Sequence, residues 1–207
     1  NEKVPINYKT HDLDVFNKYL IKNNIDVSFL KENLNIDDKY HRTYFQVKME
    51  LLKSNEERFI FVEENEDLLQ DWWHVDQLIQ FFKKPLNYED TIKKAQKYVN
   101  SKKSFVRRLG YVIFLSGLQK NMKNTNEILS LIKNDDSYYV QMAQAWLIAD
   151  LAIFNIEEVK SFISLNKKKI KYNILGKTIQ KILDSRRIND ETKNYLKSLR
   201  GELKKVI

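Results

Sequence analysis

Tyr138-Tyr139-Val140-Gln141-Met142-Ala143-Gln144-Ala145-Trp146-Leu147-Ile148-Ala149-Asp150-Leu151-Ala152-Ile153-Phe154 is the stretch that decides the fold. Its apolar residues recur three and four apart, so that Tyr139, Ala143 and Trp146 fall along one helical face, and nothing alternates with a period of two. The reading is a helix over about 136–154. Small residues between the rings would let another backbone or a sugar come close, although an ordinary core stripe explains the same spacing.

The same period extends in both directions. Upstream, a first helix opens after Thr10 and carries Val15, Leu20 and Ile21, and a short one follows Asp26 as N-cap, with Phe29 and Leu30 facing inward. A third runs from about Asp38 through Tyr44, Val47 and Leu51, and a fourth covers about 57–69. Asp71 caps the next, which carries Trp72, Trp73, Asp76, Leu78 and Phe82 and ends before Pro85. Further helices are predicted over about 88–100, 104–119, 125–133, 156–165, 171–184 and 189–205, joined by short links. The fold class is therefore all-α. Hairpins of this kind must hide their apolar stripes on one another, which an α-solenoid and a compact bundle both achieve.

Composition narrows the chemistry. The chain has 207 residues, enough for one domain or one continuous array over 1–207, and no cysteine, which removes disulfides, thiolate zinc sites and cysteine nucleophiles together. His11, His41 and His74 are scattered and form no H-E-x-x-H pair, so no metal is expected. The four glycines, Gly110, Gly117, Gly176 and Gly201, each fall inside a helical pattern, and none belongs to a phosphate-cradling loop. Neither a cofactor nor a membrane partner is expected, and the absence of a membrane-length apolar run or a leader-like start points to a cytoplasmic protein.

Charge is divided along the chain. Residues 1–82 carry 10 Lys and Arg against 16 Asp and Glu, a balance of −6; residues 83–207 carry 26 against 12, a balance of +14. A basic part beside an acidic part suits a polyanionic partner, of which nucleic acid is the commonest, while solvated lysine-rich helix faces are the plainer explanation. Lys167, Lys168, Lys169, Lys171, Arg186 and Arg187, with Lys193, Lys197 and Arg200, are the candidates for contacts to a phosphate backbone.

Two further places carry residues that function would want. Trp72 and Asp76 stand four apart and share a helical face, where an indole beside a carboxylate can hold a flat or cationic group. A buried tryptophan and an N-terminal-turn aspartate favoured by the helix dipole would look the same. In Ser104-Phe105-Val106-Arg107-Arg108-Leu109, the arginines flank the Phe105 and Leu109 stripe. One can clamp a phosphate and the other hold a carboxylate such as Asp76 ionised, or both can simply snorkel to the surface.

Taken in order, these places form a pattern: Trp72-x-x-Val75-Asp76, then Val106-Arg107-Arg108, then Tyr139-Val140-Gln141-x-Ala143-x-x-Trp146, then Tyr172-Asn173 followed by Gln180-Lys181-Ile182. The set resembles the DNA alkylation repair family of HEAT-like repeat proteins over about residues 58–200. That resemblance implies an α-solenoid of about six antiparallel HEAT-like helix pairs cradling duplex DNA in a basic groove. In active members it implies removal of N3- and N7-alkylated purines without metal or cofactor. By motif position Asp76 is similar to the catalytic carboxylate, Trp72 and Trp146 to the tryptophans that contact the lesion's deoxyribose, and Arg108 to the arginine that contacts the backbone, with Arg107 beside it as a further backbone candidate. The third motif departs from the family pattern Lys-Ala-x-Gly-Trp-x-x-Arg-Glu: here Met142, Ala145 and Ala149 replace the lysine, glycine and arginine, and Asp150 keeps the terminal acid's charge. The expected activity is alkylpurine DNA glycosylase, a nucleoid-associated hydrolase needing no obligate protein partner. The alternatives are a non-catalytic relative that recognises damaged or branched DNA and a HEAT-like protein-interaction scaffold.

Overall fold

Capping chemistry sets where the helices begin. In the computed structural model, which describes residues 9–204, α1 spans Thr10–Lys22, α2 Asp38–Leu51, α3 Asn55–Glu64 and α4 Trp72–Phe81. Asp37 accepts from the Lys39 N–H at 2.9 Å, Ser54 and Glu57 form a reciprocal capping box, and Asp71 accepts from the Trp72 N–H at 2.6 Å. Each side chain satisfies an amide that the first helical turn leaves without a partner.

These helices form the first of two compact units, which divide between Lys84 and Pro85. Within it α2 packs against both α1 and α4, and Phe45, Val47, Met49, Phe59, Val75 and Leu78 fill the core. The segment after Asp26 differs from expectation. It is a 3₁₀ helix over Ser28–Asn33 in which Leu30 is buried but Phe29 is 67% exposed. With three residues per turn only one position in three faces the core, and Asp26 fixes the phase by accepting from the Ser28 N–H and hydroxyl at 3.0 and 2.7 Å. The predicted fourth helix is shorter too. It stops at Glu64, where the Asn65 amide turns back to the Phe61 carbonyl at 2.8 Å, and a single 3₁₀ turn over Glu66–Leu68 follows.

The second unit contains α5 (Tyr88–Tyr98), α6 (Ser104–Val112), α7 (Thr125–Ser130), α8 (Tyr138–Phe154), α9 (Ile156–Asn166), α10 (Tyr172–Asp184) and α11 (Asp190–Lys204). At its centre α8 lies between α6 and α10, while α5, α9 and α11 back onto α6, α8 and α10 respectively. This two-layer stacking is solenoid-like, and no strand occurs among the described residues. The central position explains why α8 is apolar on most sides: Val140, Ala143, Ala145, Leu147, Ile148, Leu151 and Ala152 are all buried.

Two glycines are used differently. The helix predicted over 104–119 breaks up after Val112 into short 3₁₀ turns, and Gly117 between two of them has φ +124°, which side chains with a Cβ rarely adopt. The expectation that Gly117 sits within a helix is thereby corrected. Gly110 is helical but serves contact: a Cβ there would lie 2.8 Å from Val99 Cγ1 and 3.0 Å from the Val99 nitrogen.

Candidate active site and nucleic-acid interface

The first candidate residues belong to α4. Trp72 opens the helix and is 45% exposed; Asp76, one turn later, is half-buried. Behind them a polar cluster anchors α4 to α2. His41 and His74 stack with ring centroids 3.5 Å apart and planes 12° apart, and Trp73 meets both rings edge-on at 5.3 and 4.1 Å.

Hydrogen bonds identify the tautomers. A carbonyl can only accept, so the 3.0 Å contact between His41 Nε2 and the Leu68 carbonyl requires the proton on Nε2, and Nδ1 then accepts from Gln77 Nε2 at 2.9 Å. His74 Nδ1 accepts from the Gln70 N–H at 3.1 Å, so it too is unprotonated there. Burial, reinforced by the neighbouring His74, pushes His41 from the ordinary 6.5 down to about 3, and burial also lowers His74 against the opposing pull of Asp71, the Leu68 hydrogen bond and Asp38. Two neutral imidazoles can stack at this distance where two cations could not. Arg42 extends the cluster by donating to Asp14 Oδ1 at 2.7 Å through Nη2 and at 3.2 Å through Nε. Sequence reasoning missed this pairing, since 33 positions of chain separate the two histidines.

The second group sits on α6. Arg107 donates from Nε and Nη2 to the two oxygens of Asp135 at 2.6 and 3.0 Å, and its Nη1 donates to the Ser101 and Lys102 carbonyls at 3.1 and 3.0 Å. Burial alone would raise the Asp135 carboxyl, but Arg107 and the Ser137 N–H outweigh it and hold the carboxyl below its usual range. Four of the five guanidinium hydrogens are thus engaged within the protein. Arg107 is a brace between α6 and the turn before α8. Arg108 is buried, and its Nη1 donates to the Tyr139 carbonyl at 2.6 Å.

The third group lies on α8 and α10. Trp146 is 39% exposed and lines a shallow groove of about 320 Å³ together with Ala149, Asp150, Ile153, Lys181, Asp184 and Ser185. Asp150 accepts from Gln119 Nε2 at 2.8 Å, and Asp184 from Gln180 Nε2 at the same distance. Lys181 of α10 is the one cation among the residues that line this groove.

The basic segment between α9 and α10 is shaped by one side chain. Asn134 donates to the Lys169 carbonyl at 2.8 Å and accepts from the Lys171 N–H at 2.7 Å, and the resulting concavity of about 480 Å³ is lined by Lys167, Lys168, Lys169 and Lys171. Lys167 pairs with Glu202 at 3.3 Å and Lys171 with Asp136 at 2.6 Å, while Lys168, Lys169, Arg186 and Arg187 are exposed. Among the described residues no group of three or more histidine and carboxylate side chains could hold a metal ion, and no helix is long and apolar enough to cross a membrane.

A family model described as DNA alkylation repair enzyme matches residues 41–182, well over half of the chain. The chain belongs to the DNA alkylation repair family. No curated protein and no solved structure matches it. Membership of the DNA alkylation repair family supports a role in DNA repair and makes DNA its partner class. The matched span runs from His41 of the stacked pair to Ile182 on α10, and so includes Trp72, Asp76, Arg107, Arg108, Trp146 and the lysines of the α9–α10 segment. Arg186 and Arg187 lie beyond it.

Proposed function

We propose that this protein binds duplex DNA and hydrolyses the N-glycosidic bond of N3- and N7-alkylated purines. The observation that carries the reading is the half-exposed Trp72 one turn from Asp76 on α4, in a member of the DNA alkylation repair family.

An alkylated purine is cationic before the reaction begins. As its bond to C1′ breaks, the base leaves with the electron pair and becomes neutral, and the positive charge passes to the sugar as an oxocarbenium ion. Asp76 stabilises that charge and orients a water whose oxygen bonds to C1′, the released proton passing to the carboxylate or to solvent. Trp72, one turn away on the same helix, contacts the deoxyribose and excludes bulk water, which strengthens the carboxylate's effect. Lys168, Lys169, Arg186 and Arg187 contribute to backbone binding; Arg107, engaged with Asp135, and Arg108, buried against the Tyr139 carbonyl, are left out of that set.

Asp76→Asn removes the negative charge while keeping the shape. We expect at least a hundredfold slower release of 7-methylguanine from methylated duplex, with duplex affinity within about twofold of the parent. Release at the parental rate would remove Asp76 from the mechanism.

One feature favours a second reading, a non-catalytic protein that recognises damaged or branched DNA. Met142 and Ala149 replace cations of the family motif on α8, leaving Lys181 of α10 as the cation of the Trp146 groove. This reading predicts salt-dependent DNA affinity with no base release.

A further inference from the structure

Two helices of the second unit bring aromatic rings together at one exposed place, and a third adds a cation. Tyr138 and Tyr139 form the first turn of α8 and are 57% and 39% exposed. Phe105, from the first turn of α6, packs against the Tyr139 ring at 5.7 Å, and the two tyrosines meet edge to face at 5.4 Å. From α10 the Lys177 Nζ lies 5.2 Å from the centre of the Tyr138 ring.

The cluster is held rather than loosely displayed. Arg108 fixes the Tyr139 carbonyl, and Asp135 and Asp136 tie the turn before α8 to Arg107 and Lys171. Both acidic groups on that turn are thus paired with cations, Asp135 with Arg107 and Asp136 with Lys171. Single exposed aromatics are ordinary, but two adjoining exposed tyrosines backed by the half-buried Phe105, with a cation at their edge, call for a ligand that is flat and negatively charged.

We propose that Phe105, Tyr138, Tyr139 and Lys177 form a platform for an unpaired nucleotide of DNA. The base stacks on Tyr138, the flexible Lys177 ammonium moves from the ring to its rim, and the phosphate of the same nucleotide meets it there. The +14 balance of residues 83–207 favours a polyanion over an apolar peptide as the occupant. This inference rests on the reading of the protein as DNA-binding but uses no residue assigned above to glycosidic cleavage.

The test is fluorescence anisotropy at moderate salt with two labelled duplexes, one fully paired and one carrying a three-thymidine bulge. The bulged duplex should bind about fivefold or more tighter. Tyr138→Ala should erase that preference without changing affinity for the paired duplex, Tyr138→Phe should keep it, and Lys177→Gln should weaken it. Equal affinity for both duplexes, or a preference that survives Tyr138→Ala, overturns the platform even if 7-methylguanine is released from paired DNA. Failure to bind either duplex overturns the platform and the DNA-binding reading together.

Discussion

The two units handle charge in opposite ways. The first has an acidic balance, and the polar network that joins α4 to α2 is made of uncharged groups, His41, His74, Gln77 and the Leu68 carbonyl. The second has a large basic balance, yet the arginine its sequence makes most conspicuous, Arg107, is committed to Asp135, and Arg108 is buried against α8. Cations open to a ligand come instead from short segments around α10, at Lys168, Lys169, Arg186 and Arg187. Net charge thus locates the right part of the chain but not the right residues, because a guanidinium's hydrogen bonds can be satisfied inside the fold.

The sharpest way to test this contrast is to cut the Arg107–Asp135 brace. Arg107→Ala leaves Asp135 as an uncompensated, nearly buried charge, and we expect a loss of about 3 kcal/mol by urea denaturation. The folded fraction should keep parental duplex affinity. A weaker loss of stability paired with reduced affinity would instead make Arg107 a DNA contact.

A neutral histidine pair predicts a pH response confined to the first unit. The unfolded chain binds a proton on His41 near pH 6.5 but the folded chain only near 3, so stability falls as pH drops below 6.5 and goes on falling to about 3. From pH 6.5 to 5 the loss attributable to His41 should be about 2 kcal/mol, most carboxylates being still ionised over that interval. His41→Phe, which can still stack, should flatten the slope in denaturation curves at pH 7 and pH 5. An unchanged slope would mean that His41 is protonated in the folded protein.

Packing at Gly110 gives an effect of similar or smaller size. Gly110→Ala should cost about 1–3 kcal/mol, because Val99, the residue that caps α5, would have to move, and thermal unfolding would detect it. The smallest effects belong to the exposed cations. Lys168→Gln and Arg187→Gln should each leave stability unchanged and lower the slope of log affinity against log salt by about 1 if the residue meets a phosphate. No change in slope would class that residue as solvated surface.

Local signals in the sequence were enough for the helices. Ser54 with Glu57, Asp71 before Trp72 and the three-and-four spacing through α8 are interactions between near neighbours, and they placed most helix ends within a few residues. Phe29 and Gly117 escaped because both sit where a helix tightens or breaks, and that choice depends on backbone angles more than on periodicity. The family pattern put Trp72 and Trp146 among the candidates, and both are partly exposed in the fold. The His41–His74 stack and the Arg107–Asp135 brace were illegible for one reason: each joins residues about thirty positions apart, and no local rule links them.

The most direct measurement is the initial rate at which the unaltered protein frees 3-methyladenine and 7-methylguanine from methylated duplex DNA, compared with spontaneous loss from the same DNA. The account predicts release well above the spontaneous rate; release at the spontaneous rate by protein that is bound to the duplex would contradict it.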